Sequence, residues 1–311
     1  MASHALPAPR KTRLADQSPI EQATLPIYRL LGAMAVVALA LAALLGFAWD
    51  RHDLPVMLAV LATLIGTAWA LRWRGLEALA ALIEGCSLVL AASMATACLS
   101  VLFATSALPY QDALLIRIDS WLLPGFSWRD MFQALHRQDM LVALMSRIYA
   151  SLLWQPFLLV ALLTLTGRER DSWRFVRGWI IALAISVALF PLVPAVSPYP
   201  FYHIPHSDIP AMSVEIGWHQ AEVLEPIRQG ITRLLSPATM TGIISYPSFH
   251  AAGSVLLFWG FRRVPVLGVP FMIADVAMAL TAPLIGSHYF IDVVAGVAVA
   301  VVAIRLAARG Q

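Results

Sequence analysis

Lysine is almost missing from this chain: Lys11 stands alone among 311 residues, against twenty arginines. That skew points to a GC-rich genome and so to a bacterial source. Charge of either sign is scarce as well, at 13% of residues, where a soluble domain carries about a quarter. The net charge of +3 comes from scattered arginines, and a nucleic-acid surface, which needs clustered basic side chains, is excluded. Cysteine is nearly absent too. Cys86 and Cys98 lie twelve apart in one apolar run, on different faces of a helix, so neither a disulfide nor a metal site is expected. No cofactor is implied.

What fills the chain instead is apolar sequence, 60% of all residues. Eight segments stand out, near 30–49, 54–71, 78–104, 148–166, 178–196, 248–262, 264–285 and 288–307. Crossing the hydrocarbon core takes about 20 helical residues, so the fold class is an all-α polytopic membrane bundle of about eight spans. The sixth segment is short for a span. Residues 1–25 are polar and Pro-containing and read as a disordered cytoplasmic tail, too extended for the leader of a cleaved signal peptide. Residues 26–105 form N-terminal spans of unassigned role.

Basic residues orient the set. With both termini inside, fourteen Lys and Arg residues fall in inner segments and seven in outer ones, and the positive-inside rule favours that topology. Two long connections then lie outside, 106–147 and the loop 197–247 within a membrane core of 148–311. In the first, Leu114, Leu115, Ile118, Trp121 and Leu122 follow amphipathic helical spacing, with Asp112, Arg117 and Asp119 off that face. Trp121, Trp128 and Phe132 suit the membrane interface, so helices lying on the outer leaflet are expected.

Polar residues converge at the outer ends of three segments. HYFID, residues 288–292, puts His288 and Asp292 four apart on one helical face, where the carboxylate can accept the ring N–H. An acid one turn inside a span is costly and usually has a partner or a role. YPSFHAAG, residues 246–253, opens a helix at Pro247, and its first N–H groups, with Ser248, Phe249 and His250, suit an anion such as phosphate. Each motif alone has an ordinary reading: a His–Asp pair tying helices together, or capping with small-residue packing. Arg147 and Tyr149 at the fourth segment and Arg228, Arg233, His203 and His206 in the outer loop could reach this end, although snorkelling is the default for such side chains. Ser197, Tyr199, Tyr246 and Tyr289 are further candidates for lining the site. Mid-span Asp275 and Glu84 read as interhelical hydrogen-bonding groups before proton carriers.

Together YPSFHA, HYFIDVVAG and FPLVPAVSP (residues 190–198) resemble the type 2 phosphatidic acid phosphatase superfamily, in its inositol phosphorylceramide synthase-like branch. The superfamily's Lys-x6-Arg-Pro motif is absent, Thr281 and Ala282 stand where its third motif has Ser-Arg, and Phe249 replaces a glycine. The resemblance covers roughly residues 110–307. It implies that His288 is the phosphorus nucleophile, Asp292 its orienting acid and His250 the proton donor to the leaving group. It also implies transfer of a phospho-headgroup such as phosphoinositol between membrane lipids as donor and acceptor, at the outer face of a bacterial plasma membrane. Ser248 and Phe249 would bind phosphate, with a cation from among Arg147, Arg228 and Arg233. Two other readings stay open: a lipid phosphate or pyrophosphate phosphatase, and a non-catalytic transporter or scaffold built on Asp275 and Glu84.

Overall fold

Lipid offers no partner to a backbone N–H or C=O, so long apolar runs fold as helices that satisfy themselves. The computed structural model describes residues 19–105, 108–213 and 216–309. Its helices are, in chain order, α1 (Pro19–Leu44), α2 (Asp53–Trp73), α3 (Glu77–Phe103), α4 (Asp112–Leu122), α5 (Trp128–Leu135), α6 (Asp139–Ala150), α7 (Gln155–Leu165), α8 (Glu169–Leu189), α9 (Pro198–Phe201), α10 (Ile216–Arg228), α11 (Phe249–Phe261), α12 (Gly268–Ile285) and α13 (Phe290–Ala308). A two-residue parallel pairing of Ala48–Trp49 with Leu234–Leu235 ties the α1–α2 turn to the loop before α11. Of the residues read as a tail, 1–18 lie outside the described ones, and α1 already begins at Pro19.

Among the described residues, six helices are long and apolar enough to cross a membrane: α1 from Thr24, α2, α3, α8, α12 and α13. The chain is an integral membrane helical bundle. The other two apolar segments differ from a simple span. The fourth is a bent pair, Asp139–Leu153 followed by Gln155–Leu165, at 55°. A 3-10 turn at Ser151–Leu153 and Pro156 near the start of α7 break the helical ladder there, because proline has no N–H to give and its ring crowds the preceding turn. The sixth, α11, has 13 residues between the Ser248 cap and Arg262, about 20 Å at 1.5 Å per residue, so it does not reach across alone.

Helix α8 sits at the centre, packed on α3, α7, α11 and α13. Phe175, Val176, Ile180 and Leu183 of α8 are buried with Leu159 and Val160 of α7 and Leu256 and Leu257 of α11. Lipid tails are as apolar as these side chains, so close packing rather than water exclusion holds the interior together. Gly296 shows how close: a methyl group there would collide with the Ser248 carbonyl, so α13 lies directly against the entrance of α11. Outward, Val36, Leu39, Leu58 and Trp69 are exposed on α1 and α2, a surface suited to lipid.

The two mid-span acids part company. Buried Glu84 accepts from the Tyr28 hydroxyl and from Arg72, fastening α1, α2 and α3 together as expected of an interhelical hydrogen-bonding group. Asp275 is fully buried, and neither of its oxygens has a hydrogen-bond partner among the described residues, so it does not make the interhelical bond expected of it.

Candidate active site

The site is built on the first turn of α13. An α-helix leaves its first N–H groups without internal acceptors, and here carboxylates take them. Phe290 and Ile291 donate to the two oxygens of Asp119 on α4, at 2.8 Å each, and Tyr289 N–H donates to Asp292 at 2.9 Å. One helical face of α4 carries a second acid two turns earlier. Asp112 accepts from the Tyr289 hydroxyl (2.9 Å) and from the Val196 and Ser197 N–H groups (3.1 and 3.2 Å), binding the loop after α8 to the same turn. Both acids are buried, and both lie off the apolar face on which Leu114 and Trp121 are exposed. Burial raises both above the ordinary carboxylate range, and the N–H and O–H groups they accept pull them back down.

Held by that scaffold, His288 turns its Nδ1 to Asp292, 3.5 Å from Oδ2, with both side chains buried. Ser245 O–H also approaches Asp292, at 3.4 Å. A ring whose Nδ1 faces its own helix presents Nε2 on the far edge. At that edge Gly286 leaves room: a Cβ there would collide with both His288 Cδ2 and the Tyr149 hydroxyl. The Tyr149 ring in turn stacks on His250, centroids 3.6 Å apart and planes within 12°. His250 stands in the first turn of α11, whose cap is Ser248; the Ser248 hydroxyl accepts from Ala251 N–H at 3.4 Å. Ser248 N–H is taken by the Asp292 carbonyl at 3.0 Å, and the helix opens at Phe249, two residues later than Pro247 suggests. The N–H groups of Phe249 and His250 remain to face an anion at the positive end of α11.

His250, His288, Tyr149, Gly286 and Phe249 line one cavity of about 520 Å³. Its walls come from α3, the α6–α7 bend, α8 and the loop 237–244. Most of the lining is apolar, and none of it is Lys, Arg, Asp or Glu.

Several residues expected at the site lie elsewhere, for physical reasons. Arg228 donates to the Leu108 carbonyl at 2.6 Å and stacks over Tyr110, while Arg233 lies over Phe47; each long side chain has found carbonyl or ring partners nearby. Arg147 is exposed on α6. None of the three lines the cavity, so the cation expected from this set is not delivered to the histidines. Ser197 is occupied by Asp112 and by Gln220, its hydroxyl donating to Gln220 at 3.0 Å. The Tyr199 hydroxyl donates to the Leu284 carbonyl at 2.7 Å, the Tyr289 hydroxyl is spent on Asp112, and Tyr246 is half-buried outside the cavity. His203 and His206 do not line it either. What the sequence reading missed is the pair Asp112 and Asp119, signalled by two acids seven residues apart on a largely apolar helix. It also missed the wall given by Thr96, Trp179 and Ser186, for which an apolar run offers no signal.

Comparison with curated proteins and with solved structures finds no match in either. Residues 113–306 do match the PAP2 superfamily. That stretch is more than half the chain and contains both histidine motifs, with Asp119 and Tyr149, and the chain belongs to the PAP2 superfamily.

Proposed function

We propose that this protein is a lipid phosphotransferase that passes a phospho-headgroup from a phospholipid to a hydroxylated lipid through a phosphohistidine. The observation that carries the reading is that His250 and His288, 38 residues apart in sequence, open on one largely apolar cavity that no lysine or arginine lines. Superfamily membership supports lipid phosphatase or phosphotransferase chemistry. The uncharged lining favours a phosphodiester over a monoester, since a dianion needs more cationic stabilisation than a monoanion.

In the first half-reaction the His288 Nε2 lone pair forms a bond to phosphorus while the bond to the diacylglycerol oxygen breaks. His250, protonated, gives that oxygen its proton. Asp292 accepts the His288 Nδ1–H and stabilises the positive charge growing on the ring. In the second half-reaction His250 takes the proton of an incoming hydroxyl, whose oxygen bonds to phosphorus as the N–P bond breaks. The Phe249 and His250 N–H groups, at the helix end, steady the phosphoryl oxygens. The reading places the site at the extracytoplasmic face of a bacterial plasma membrane.

Purified protein given phospholipids with labelled headgroups should release diacylglycerol and, when a hydroxylated lipid is added, move the label onto it. Phosphatidic acid should be a poor substrate. Rapid release of inorganic phosphate from phosphatidic acid, with no label transfer from any phosphodiester lipid, overturns the transferase reading in favour of a phosphatase with water as acceptor.

A further inference from the structure

The cavity holds more than the two histidines need. Along α3 its wall is a stripe at helical spacing, Val89, Ser93, Thr96 and Ser100. Ser93 and Ser100 return their hydroxyls to carbonyls of their own helix, Val89 at 3.0 Å and Ala97 at 2.8 Å. Thr96 does not. Its hydroxyl is buried with no hydrogen-bond partner among the described residues. The same holds for the Ser186 hydroxyl and the Trp179 indole N–H on α8, two turns apart on one face, and for the Thr241 hydroxyl in the loop before α11. All four line the cavity.

Burying a donor or acceptor without a partner is unfavourable, and four such groups around one space describe a polar subsite. Their chemistry limits what it binds. Three hydroxyls and an indole N–H are neutral, and three of them both donate and accept. A second phosphate would call for a cation in the wall, and an ammonium for a carboxylate; the lining supplies neither.

We propose that Thr96, Ser186 and Thr241, with the Trp179 indole N–H, form a second subsite of the histidine cavity that binds the uncharged, hydroxyl-bearing polar part of a lipid substrate. The inference rests on the proposed function for the statement that lipid phosphoesters react in this cavity. It gives α3 a role in selectivity, although Thr96 lies outside the residues that match the superfamily.

The test has two arms. In the first, kcat and KM are measured for phosphatidylglycerol, whose headgroup carries free hydroxyls, and for phosphatidylethanolamine, whose headgroup carries an ammonium. The parent should prefer phosphatidylglycerol. Thr96→Val and Ser186→Ala should each raise its KM about fivefold with kcat little changed, the size of one neutral hydrogen bond. The double variant should bring the two lipids close to parity. An unchanged preference in folded variants overturns the proposal.

The second arm needs no turnover. In phosphatidylcholine nanodiscs, His288→Ala protein should be stabilised against heat by monooleoylglycerol and not by methyl oleate. Adding Thr96→Val and Ser186→Ala should erase the difference. Equal effects of the two probes on the unmodified wall overturn the subsite whatever the reaction. If the parent cleaves no phosphodiester lipid while monooleoylglycerol is still discriminated, the proposed function falls and the subsite stands.

Discussion

In the proposed mechanism His288 and His250 carry different burdens, and their removal should show it. Without the His288 imidazole no N–P bond can form, so His288→Ala should bring headgroup transfer below detection. His250→Ala removes a proton donor and acceptor, an effect worth about 10²–10⁴-fold in rate. Both rings line the cavity rather than the apolar core of α7, α8 and α11, so both variants should still unfold cooperatively. Initial rates on labelled phospholipid, with thermal unfolding as the control, check both. Full activity in either variant removes that histidine from the chemistry. This pair was legible in sequence because each motif is local: Asp292 meets His288 within one helical turn, and His250 sits in the first turn of a capped helix. The arginines were not, because a long flexible side chain takes whichever carbonyl or ring is nearest in the fold. Arg228 finding Leu108, 120 residues away, is a tertiary event that no spacing announces.

Among the elements, α4 decides whether the α13 motif is held still. Asp119 accepts two N–H groups from the first turn of α13 with its two carboxylate oxygens. Asn keeps one acceptor and turns an NH₂ toward the other N–H, so Asp119→Asn should lose one charge-assisted bond and leave one donor unsatisfied. The expected cost is about 2 kcal/mol in stability, in the range of a lost helix cap. Because His288 lies two residues before Phe290, the slackened turn should also lower kcat while KM stays near the parent value. Thermal unfolding and steady-state kinetics read the two effects, and a variant with parental Tm and kcat would show that α4 is only a neighbour. The amphipathic pattern disclosed that 112–122 is a helix, and the structure agrees. It set the acids off the apolar face but named no partner for them, because a binary pattern treats every carboxylate as seeking water. A buried helix N-terminus is an equally good partner, and it lies some 170 residues further along the chain.

At the scale of the whole molecule, the two ends of the bundle are chemically unlike. One end gathers Asp112, Asp119, both histidines and an aromatic cluster of Trp128, Tyr199 and Trp218, while the other carries the arginine-bearing turns at 168–177 and 262–263. Apolar run lengths made the bundle legible but overstated the simple spans, because periodicity cannot see the bend before Pro156 or the shortness of α11. The arginine bias does yield a checkable orientation. Arg137, between α5 and α6, and Arg170, at the start of α8, are both exposed, and the proposed topology puts them on opposite sides of the membrane. In a background with Cys86 and Cys98 replaced by alanine, Arg137→Cys should react with a membrane-impermeant maleimide added to intact cells. Arg170→Cys should react only after the cells are permeabilised. The positive-inside rule counts basic residues in short loops near span ends, where Arg168, Arg170, Arg174 and Arg177 lie, so in the proposed topology this stretch is a cytoplasmic anchor. Labelling of Arg170→Cys in intact cells, with Arg137→Cys protected, would invert the molecule and put the histidine cavity at the cytoplasmic face, leaving its chemistry unchanged but drawing its lipids from the inner leaflet.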